Sequence, residues 1–341
     1  MTSPLIIPIF IPHSGCPHCC AFCNQKAITG ENAVLPDTGR IAAVIRQYLT
    51  YKGSRYPVEL GFFGGNFLGL DARHITRLMK DVEPFLDSGA IQGIRFSTRP
   101  DTVTRKSLDL VRSYPVSLVE LGVQTMDDQV LNRVNRGHTS DDTRRAMALL
   151  RNQAIPAGVQ VMVGLPEDTQ NSMIRTAEIL AGLRPLTARI YPVLVLKKTL
   201  LAQWFKNGKY TPLALDRAVA ITAEMFSIFT RSGVTVIRMG LQASGTHDPD
   251  VIAGPIHPAF GHLVLSRIMY DTVVQKIQDR ADEQTPGKIK LCVHPRSASR
   301  LRGDKNSNLQ HLKAEFPDLD FGIQTDPAME PDQVDILRCP A

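Results

Sequence analysis

Four of the chain's six cysteines lie within eight residues, in Gly15-Cys16-Pro17-His18-Cys19-Cys20-Ala21-Phe22-Cys23, while Cys292 and Cys339 stand alone toward the other end. Thiols this crowded cannot make a disulfide framework for so long a chain, and with no secretory signal before them they point to metal. A zinc ribbon or finger needs a second ligand pair about a dozen or more residues on, yet after Cys23 no cysteine appears until Cys292. A ferredoxin run of C-x2-C-x2-C-x3-C is absent from every reading of the cluster. Cys16-x3-Cys20-x2-Cys23 does fit three thiolates that each hold one iron of a [4Fe-4S] cluster. The fourth iron is then without a protein ligand, and an open coordination position marks a centre that binds something other than protein.

The elements that must carry this loop are legible as an alternation. Apolar, β-branched runs at Leu5–Pro12, Val58–Gly65, Gly93–Pro100, Ser117–Thr125, Gly158–Pro166 and Arg189–Lys197 read as strands. Helical periodicity occupies Asp37–Tyr51, Asp71–Leu86, Thr102–Ser113, Ser140–Asn152 and Thr169–Leu183, with Thr139 or Ser140 as the cap of the fourth. Near-continuous apolar strands between helices predict an α/β fold with a parallel sheet covered on its outside. The composition, 43% hydrophobic and 21% charged over 341 residues, excludes a disordered or collagenous chain. Leu5–Pro12 is too short for a membrane span and has no basic lead-in, so the sequence predicts a cytoplasmic protein without a membrane partner.

Cys16-x3-Cys20-x-Phe22-Cys23, with an aromatic just before the third cysteine, resembles the signature of the radical S-adenosylmethionine (SAM) enzymes. That resemblance implies a partial (β/α)6 barrel. It also implies a [4Fe-4S] cluster on Cys16, Cys20 and Cys23 whose open iron chelates SAM, and reductive cleavage of SAM to a 5′-deoxyadenosyl radical. An electron donor such as flavodoxin or ferredoxin and anaerobic working conditions follow from it. Phe22 is expected near the adenine. Cys19 is extra to the pattern and is read as a bystander thiol, and His18 as a ring bonded to backbone.

Barrel active sites collect at the carboxyl ends of the strands. Gly64-Gly65-Asn66 end the second strand, Ser97-Thr98-Arg99-Pro100-Asp101 the third, Gln124 the fourth, and Gln160 with Gly164-Leu165-Pro166 the fifth. In the family the first of these is a Gly-Gly-Glu that takes the amino group of SAM; here Asn66 replaces the acid and keeps only a carbonyl acceptor. Within the superfamily the chain resembles the radical SAM domain of the elongator catalytic subunit, a tRNA-modifying enzyme of wobble uridine. The likeness runs from Leu5 to Gln242 through Phe96–Asp101, Glu120–Thr125, Asn135–Thr139, Val159–Pro166 and Ile190–Leu196. It implies that Ser97, Arg99, Gln124, Arg136 and Gln160 join Gly64, Gly65 and Asn66 around SAM, with Arg136 on the SAM carboxylate.

The sequence divides into a barrel over residues 1–242 and a small α/β appendage over 243–341, expected as a helix from Ala259 to Arg280, a strand Lys288–His294, a helix Ser297–Phe316 and a strand Phe321–Thr325. About 100 residues after Gln242 are too few for the acetyltransferase domain of the elongator subunit, and its further zinc cysteines have no match. The acetyl-transfer half is therefore expected to be missing. Gly-Val-Gln-Thr, Arg-Gly-His-Thr and Gly-Leu-Pro are shared with the oxygen-independent coproporphyrinogen III oxidases, which makes a tetrapyrrole the alternative substrate. A cluster-bearing RNA-binding protein without turnover is the alternative class. The segment Arg184–Gly240 carries nine basic residues against Asp216 and Glu224, a face suited to tRNA. Arg296, Arg300, Arg302, Lys305 and Lys313 make the appendage helix basic as a solvated face, and His257 reads as a structural loop histidine.

Overall fold

The computed structural model describes residues 4–11, 15, 16, 18–24, 34–240, 250–279 and 287–338. Pro12, Pro17, Arg280, Cys339 and the expected division at 242/243 lie outside them. Contacts sort the chain into one unit of residues 1–214 and 225–255 and a second of residues 215–224 and 256–341.

In the first unit, strands β1 (Leu5–Phe10), β2 (Val58–Phe63), β3 (Gly93–Thr98), β4 (Val116–Gln124), β5 (Ala157–Val163) and β6 (Thr187–Pro192) lie side by side in sequence order, all parallel. The six expected strands form, and the structure adds a seventh. Past the two-residue β7 (Val195–Leu196), β8 (Thr235–Met239) pairs parallel with β6 at the sheet's edge. β8 was not foreseen in sequence; it is a short edge strand whose residues are all exposed or half-buried, although Val234-Thr235-Val236-Ile237 is a β-branched run. β9 (Val251–Ala253) pairs antiparallel with β7.

The helices between the strands are α1 (Thr38–Thr50), α2 (Ala72–Asp87), α3 (Arg105–Asp109), α4 (Asp128–Arg133), α5 (Ser140–Asn152), α6 (Gln170–Gly182), α7 (Leu200–Lys206) and α8 (Leu215–Arg231). Thr139 caps α5, accepting the Asp142 N–H while Asp142 accepts the Thr139 N–H, a reciprocal capping box. The helix expected over Thr102–Ser113 shortens to α3. Pro100 opens a separate 3-10 turn, Thr104 caps late, and Pro115 disfavours helical backbone at Tyr114. Among the described residues no helix is long and apolar enough to cross a membrane.

One face of this sheet is apolar and fully buried, with Ile7, Leu60, Phe62, Ile94, Phe96, Val119, Leu121, Val161 and Ile190 at 3% exposure or less. The other is not the continuation of an apolar run that the sequence suggested. It carries Glu59, Arg95, Ser97, Glu120, Gln160 and Arg189, and it is concave. Arg189 on β6 bonds Glu120 on β4 at 2.7 Å and lies 5.6 Å from the Phe63 ring on β2. On a flat sheet β2 and β6 would be about 19 Å apart, far beyond an arginine's reach, so the sheet curls toward its polar face into an open half-barrel.

In the second unit, α9 (Phe260–Gln278), α10 (Ala298–Arg302) and α11 (Ser307–Glu315) pack on a sheet of order β11-β10-β12, made of β10 (Gly287–Val293), β11 (Leu319–Thr325) and β12 (Val334–Arg338). Met269, Val273, Leu291, Val293, Leu301, Leu312 and Ile336 form its core. The single helix expected over Ser297–Phe316 is broken between α10 and α11, where Gly303, Lys305 and Asn306 take left-handed backbone. β12 was not foreseen in sequence.

Candidate functional site

The cysteine loop follows β1 and is pinned at its middle. Ala21, fully buried, donates its N–H to the Val134 carbonyl at 2.9 Å and accepts the Leu201 N–H at 2.8 Å. This fixes the loop between the ends of α4 and α7. Cys20 is buried, Cys16 and Cys23 are half-buried, and Cys19 is exposed. Burial pushes the Cys16 thiol up, and it pushes Cys23 up to about 12 with the neighbouring Cys20 and Cys16 adding to it; Arg136 opposes both shifts. Among the described residues no three His, Cys, Asp or Glu side chains converge on one point.

Around this loop the strand ends supply polar groups that the chain leaves unused. Arg136, 7% exposed, donates Nη1 to Cys20 Sγ at 3.4 Å and Nη2 to the Gly122 carbonyl at 2.6 Å, while its buried Nε has no partner. Arg99, 2% exposed, is clamped on Asp101 through Nε and Nη2 at 2.9 and 3.0 Å, and its Nη1 is buried and unpartnered. Gln124 ends β4 at a register shift with left-handed backbone (φ 72°), which turns its side chain beside Gly122; its Oε1 is buried and unpartnered. A Cβ on Gly122 would come within 2.8 Å of Arg136 Nη2 and 3.0 Å of Gln124 Nε2, so only glycine leaves room for both.

His138 belongs with this group and was missed in sequence. It is 5% exposed, and neither ring nitrogen makes a well-formed hydrogen bond, although the Val123 backbone lies near enough to favour protonation slightly. Burial, reinforced by the Arg136 and Arg99 guanidiniums, lowers it to about 3, so the ring is neutral. The signal was its place in Asn135-Arg136-Gly137-His138-Thr139, two residues after the arginine.

The remaining expected residues sit as follows. Gly64 (φ 92°) and Gly65 are half-buried after β2. Phe22 packs at the edge of the Ala21, Val130, Leu165 and Val193 cluster. Ser97 reaches toward Glu120 at 3.4 Å, and Gln160 is half-buried on the concave face, in register with Gly122 and Arg189. Asn66 is fully buried, with its amide spent on protein partners. His18 is exposed and lies against Gly137, and His257 Nδ1 accepts the Ala259 N–H at 3.1 Å, a local turn.

Five unpartnered buried polar atoms on Arg99, Gln124, Arg136 and His138, beside three cysteines, fit a ligand with a carboxylate and polar hydrogens next to an iron-sulfur cluster. Comparison with known proteins gives the family. The chain matches the model of the radical SAM superfamily over residues 10–180 and that of the radical SAM C-terminal domain over residues 185–270. It is 27% identical over 243 residues to a tRNA uridine(34) acetyltransferase of Dehalococcoides mccartyi, covering 62% of this chain and 53% of that protein. It is 30% identical over 211 residues to Protein YhcC of Escherichia coli, covering 60% of this chain and 66% of that one. The chain thus spans about half the length of the first of these relatives. Among solved structures, the archaeal Elp3 of Methanocaldococcus infernus with its N-terminus deleted superposes with a TM-score of 0.62 at 20% identity, over 81% of this chain and 64% of that one, which bears on the fold.

Proposed function

Because the chain belongs to the radical SAM superfamily, we propose that it holds a [4Fe-4S] cluster on Cys16, Cys20 and Cys23, binds SAM beside it, and acts on tRNA. The observation that carries the reading is the set of unused buried donors and acceptors around the cysteine loop. Bound and reduced, the cluster supplies the electron that splits SAM into methionine and a 5′-deoxyadenosyl radical. The chain's own residues position the cofactor. Arg136 holds Cys20 Sγ through Nη1 and offers Nε to the cofactor carboxylate. Arg99, held rigid by Asp101, offers Nη1 to the same group. Gln124 Oε1 accepts from an ammonium or hydroxyl, and the neutral His138 adds a second acceptor without repelling a cation. Ser97, Gln160, Gly64, Gly65 and Phe22 complete the wall of the site. Free crowded thiols fit a reducing compartment such as the cytoplasm, where a flavodoxin or ferredoxin supplies electrons.

The tRNA reading is supported by what the relatives are named for and by the exposed Lys197, Lys198, Lys206 and Lys209, which flank the α7 segment that pins the cysteine loop. Filter binding of tRNA should weaken steeply with salt, and reversing Lys197 and Lys198 to glutamate should reduce the slope of log K against log salt by about 2 while sparing SAM binding. No tRNA affinity at low salt, with the cluster intact, would remove the RNA part of the reading and move weight to a small planar substrate such as a tetrapyrrole.

A further inference from the structure

The residue that stands where the family carries its SAM-binding acid is already fully employed. Asn66 is 0% exposed. Its Nδ2 donates to the Gly15 carbonyl at 2.6 Å, and its Oδ1 accepts the Arg99 N–H at 3.0 Å, the Thr98 hydroxyl at 2.7 Å and the Thr102 hydroxyl at 2.8 Å. Because one partner is a backbone carbonyl and another a backbone N–H, the amide can face only one way.

Two glycines let the segments of this joint approach. Gly15 has left-handed backbone (φ 80°), and a Cβ there would come within 2.5 Å of the main-chain carbonyl oxygen of Asn66 and 2.9 Å of the Leu70 nitrogen, so it is the main chain of the 66–70 turn that needs the room. A Cβ on Gly69 would come within 2.1 Å of Asn66 Nδ2 and 2.4 Å of the Gly15 carbonyl oxygen. Gly15 immediately precedes Cys16, and Arg99 carries one of the unused guanidinium donors. A single buried amide therefore ties the first cluster ligand to the start of a cofactor-binding arginine.

We propose that Asn66 is a positioning residue that fixes the cysteine loop against the end of β3, and that it makes no contact with the SAM amino group. The proposal rests on the reading of Cys16, Cys20 and Cys23 as cluster ligands. It explains why the acid is absent: a carboxylate at this place would press lone pairs against the Gly15 carbonyl with no hydrogen between them. The joint acts through geometry, holding Cys16 and Arg99 at the spacing that a cluster and a carboxylate bound beside it require.

Asn66→Asp, of nearly the same shape, separates the two roles. The reconstituted protein should lose iron to an external chelator about tenfold faster than the parent, in the range for groups that orient metal ligands. Gly15→Ala pushes the same loop off the main chain of Asn66, Gly69 and Leu70 and should likewise speed iron loss. The electron paramagnetic resonance signal of the reduced cluster should change in each, while melting of the cluster-free proteins changes far less. A SAM contact gives the reverse result: Asn66→Asp would set a carboxylate before an ammonium, tighten SAM binding and leave iron loss unchanged, which would overturn the proposal. If Asn66→Asp does not fold, Thr98→Val removes the hydroxyl that donates to Oδ1 at 2.7 Å more gently. It should speed iron loss by a smaller factor, and an unchanged rate there would equally overturn the proposal. A parent protein that takes up no cluster at all would instead show that the cluster reading had failed.

Discussion

Cys16→Ala, Cys20→Ala and Cys23→Ala will each abolish the four-iron cluster after anaerobic reconstitution, whereas Cys19→Ala will keep it. The difference follows from place. In the proposed ligand set each thiolate takes one iron, so removing one would leave that iron bare. Cys20 is buried under the Arg136 guanidinium, while Cys19 faces solvent one residue before it. Burial holds the Cys16 and Cys23 protons on, Cys23 to about 12, so the metal must displace them as it binds. Loading therefore releases protons and becomes more favourable as pH rises. Iron and sulfide counts with the visible spectrum of each variant decide the matter. Loss of the cluster on changing Cys19 alone would mean that the ligand set is different.

Glu120→Ala is expected to cost about 3–5 kcal/mol of stability, because it strips the enclosed Arg189 guanidinium of its carboxylate partner and leaves Arg95 with Glu59 alone. The Glu120 side chain is 6% exposed; it bonds Arg189 at 2.7 Å and lies 3.9 Å from Arg95, whose own 15% exposed side chain also pairs with Glu59. Removing both charges of such a pair can be harmless, but removing one leaves the other desolvated and unmatched. Glu120→Gln, which keeps an acceptor, should cost less. Urea unfolding of the cluster-free proteins under reducing conditions measures both, and a loss below about 1 kcal/mol for Glu120→Ala would mean that water screens the concave face as it does a surface pair.

The parts of this molecule that are local in sequence were legible there. The spacing of Cys16, Cys20 and Cys23 is written in eight residues, the strands in runs of six to nine, and the Thr139 cap in four. What could not be read is what curls or folds back. Glu59, Arg95, Glu120 and Arg189 each interrupt an apolar strand, and only the curl of the sheet shows that they match one another across a concave floor. That interruption, repeated on β2, β3, β4 and β6, was the available signal. The backbone partners of Asn66 lie 51 and 33 residues away at Gly15 and Arg99, so a Gly-Gly-Asn triplet in isolation gives no sign of the hydrogen bonds its amide makes. His138 carried no local mark of burial, and β8 offered only the short β-branched run Val234-Thr235-Val236-Ile237.

The most direct test of the radical SAM reading is to reduce the anaerobically reconstituted protein in the presence of SAM, without any further substrate, and to separate the products. Methionine and 5′-deoxyadenosine should form in equal amounts, at a rate that vanishes in Cys20→Ala and persists in Cys19→Ala. Intact SAM after prolonged reduction, in a protein carrying a full complement of iron and sulfide, would contradict it and leave a cluster-bearing binding protein without turnover.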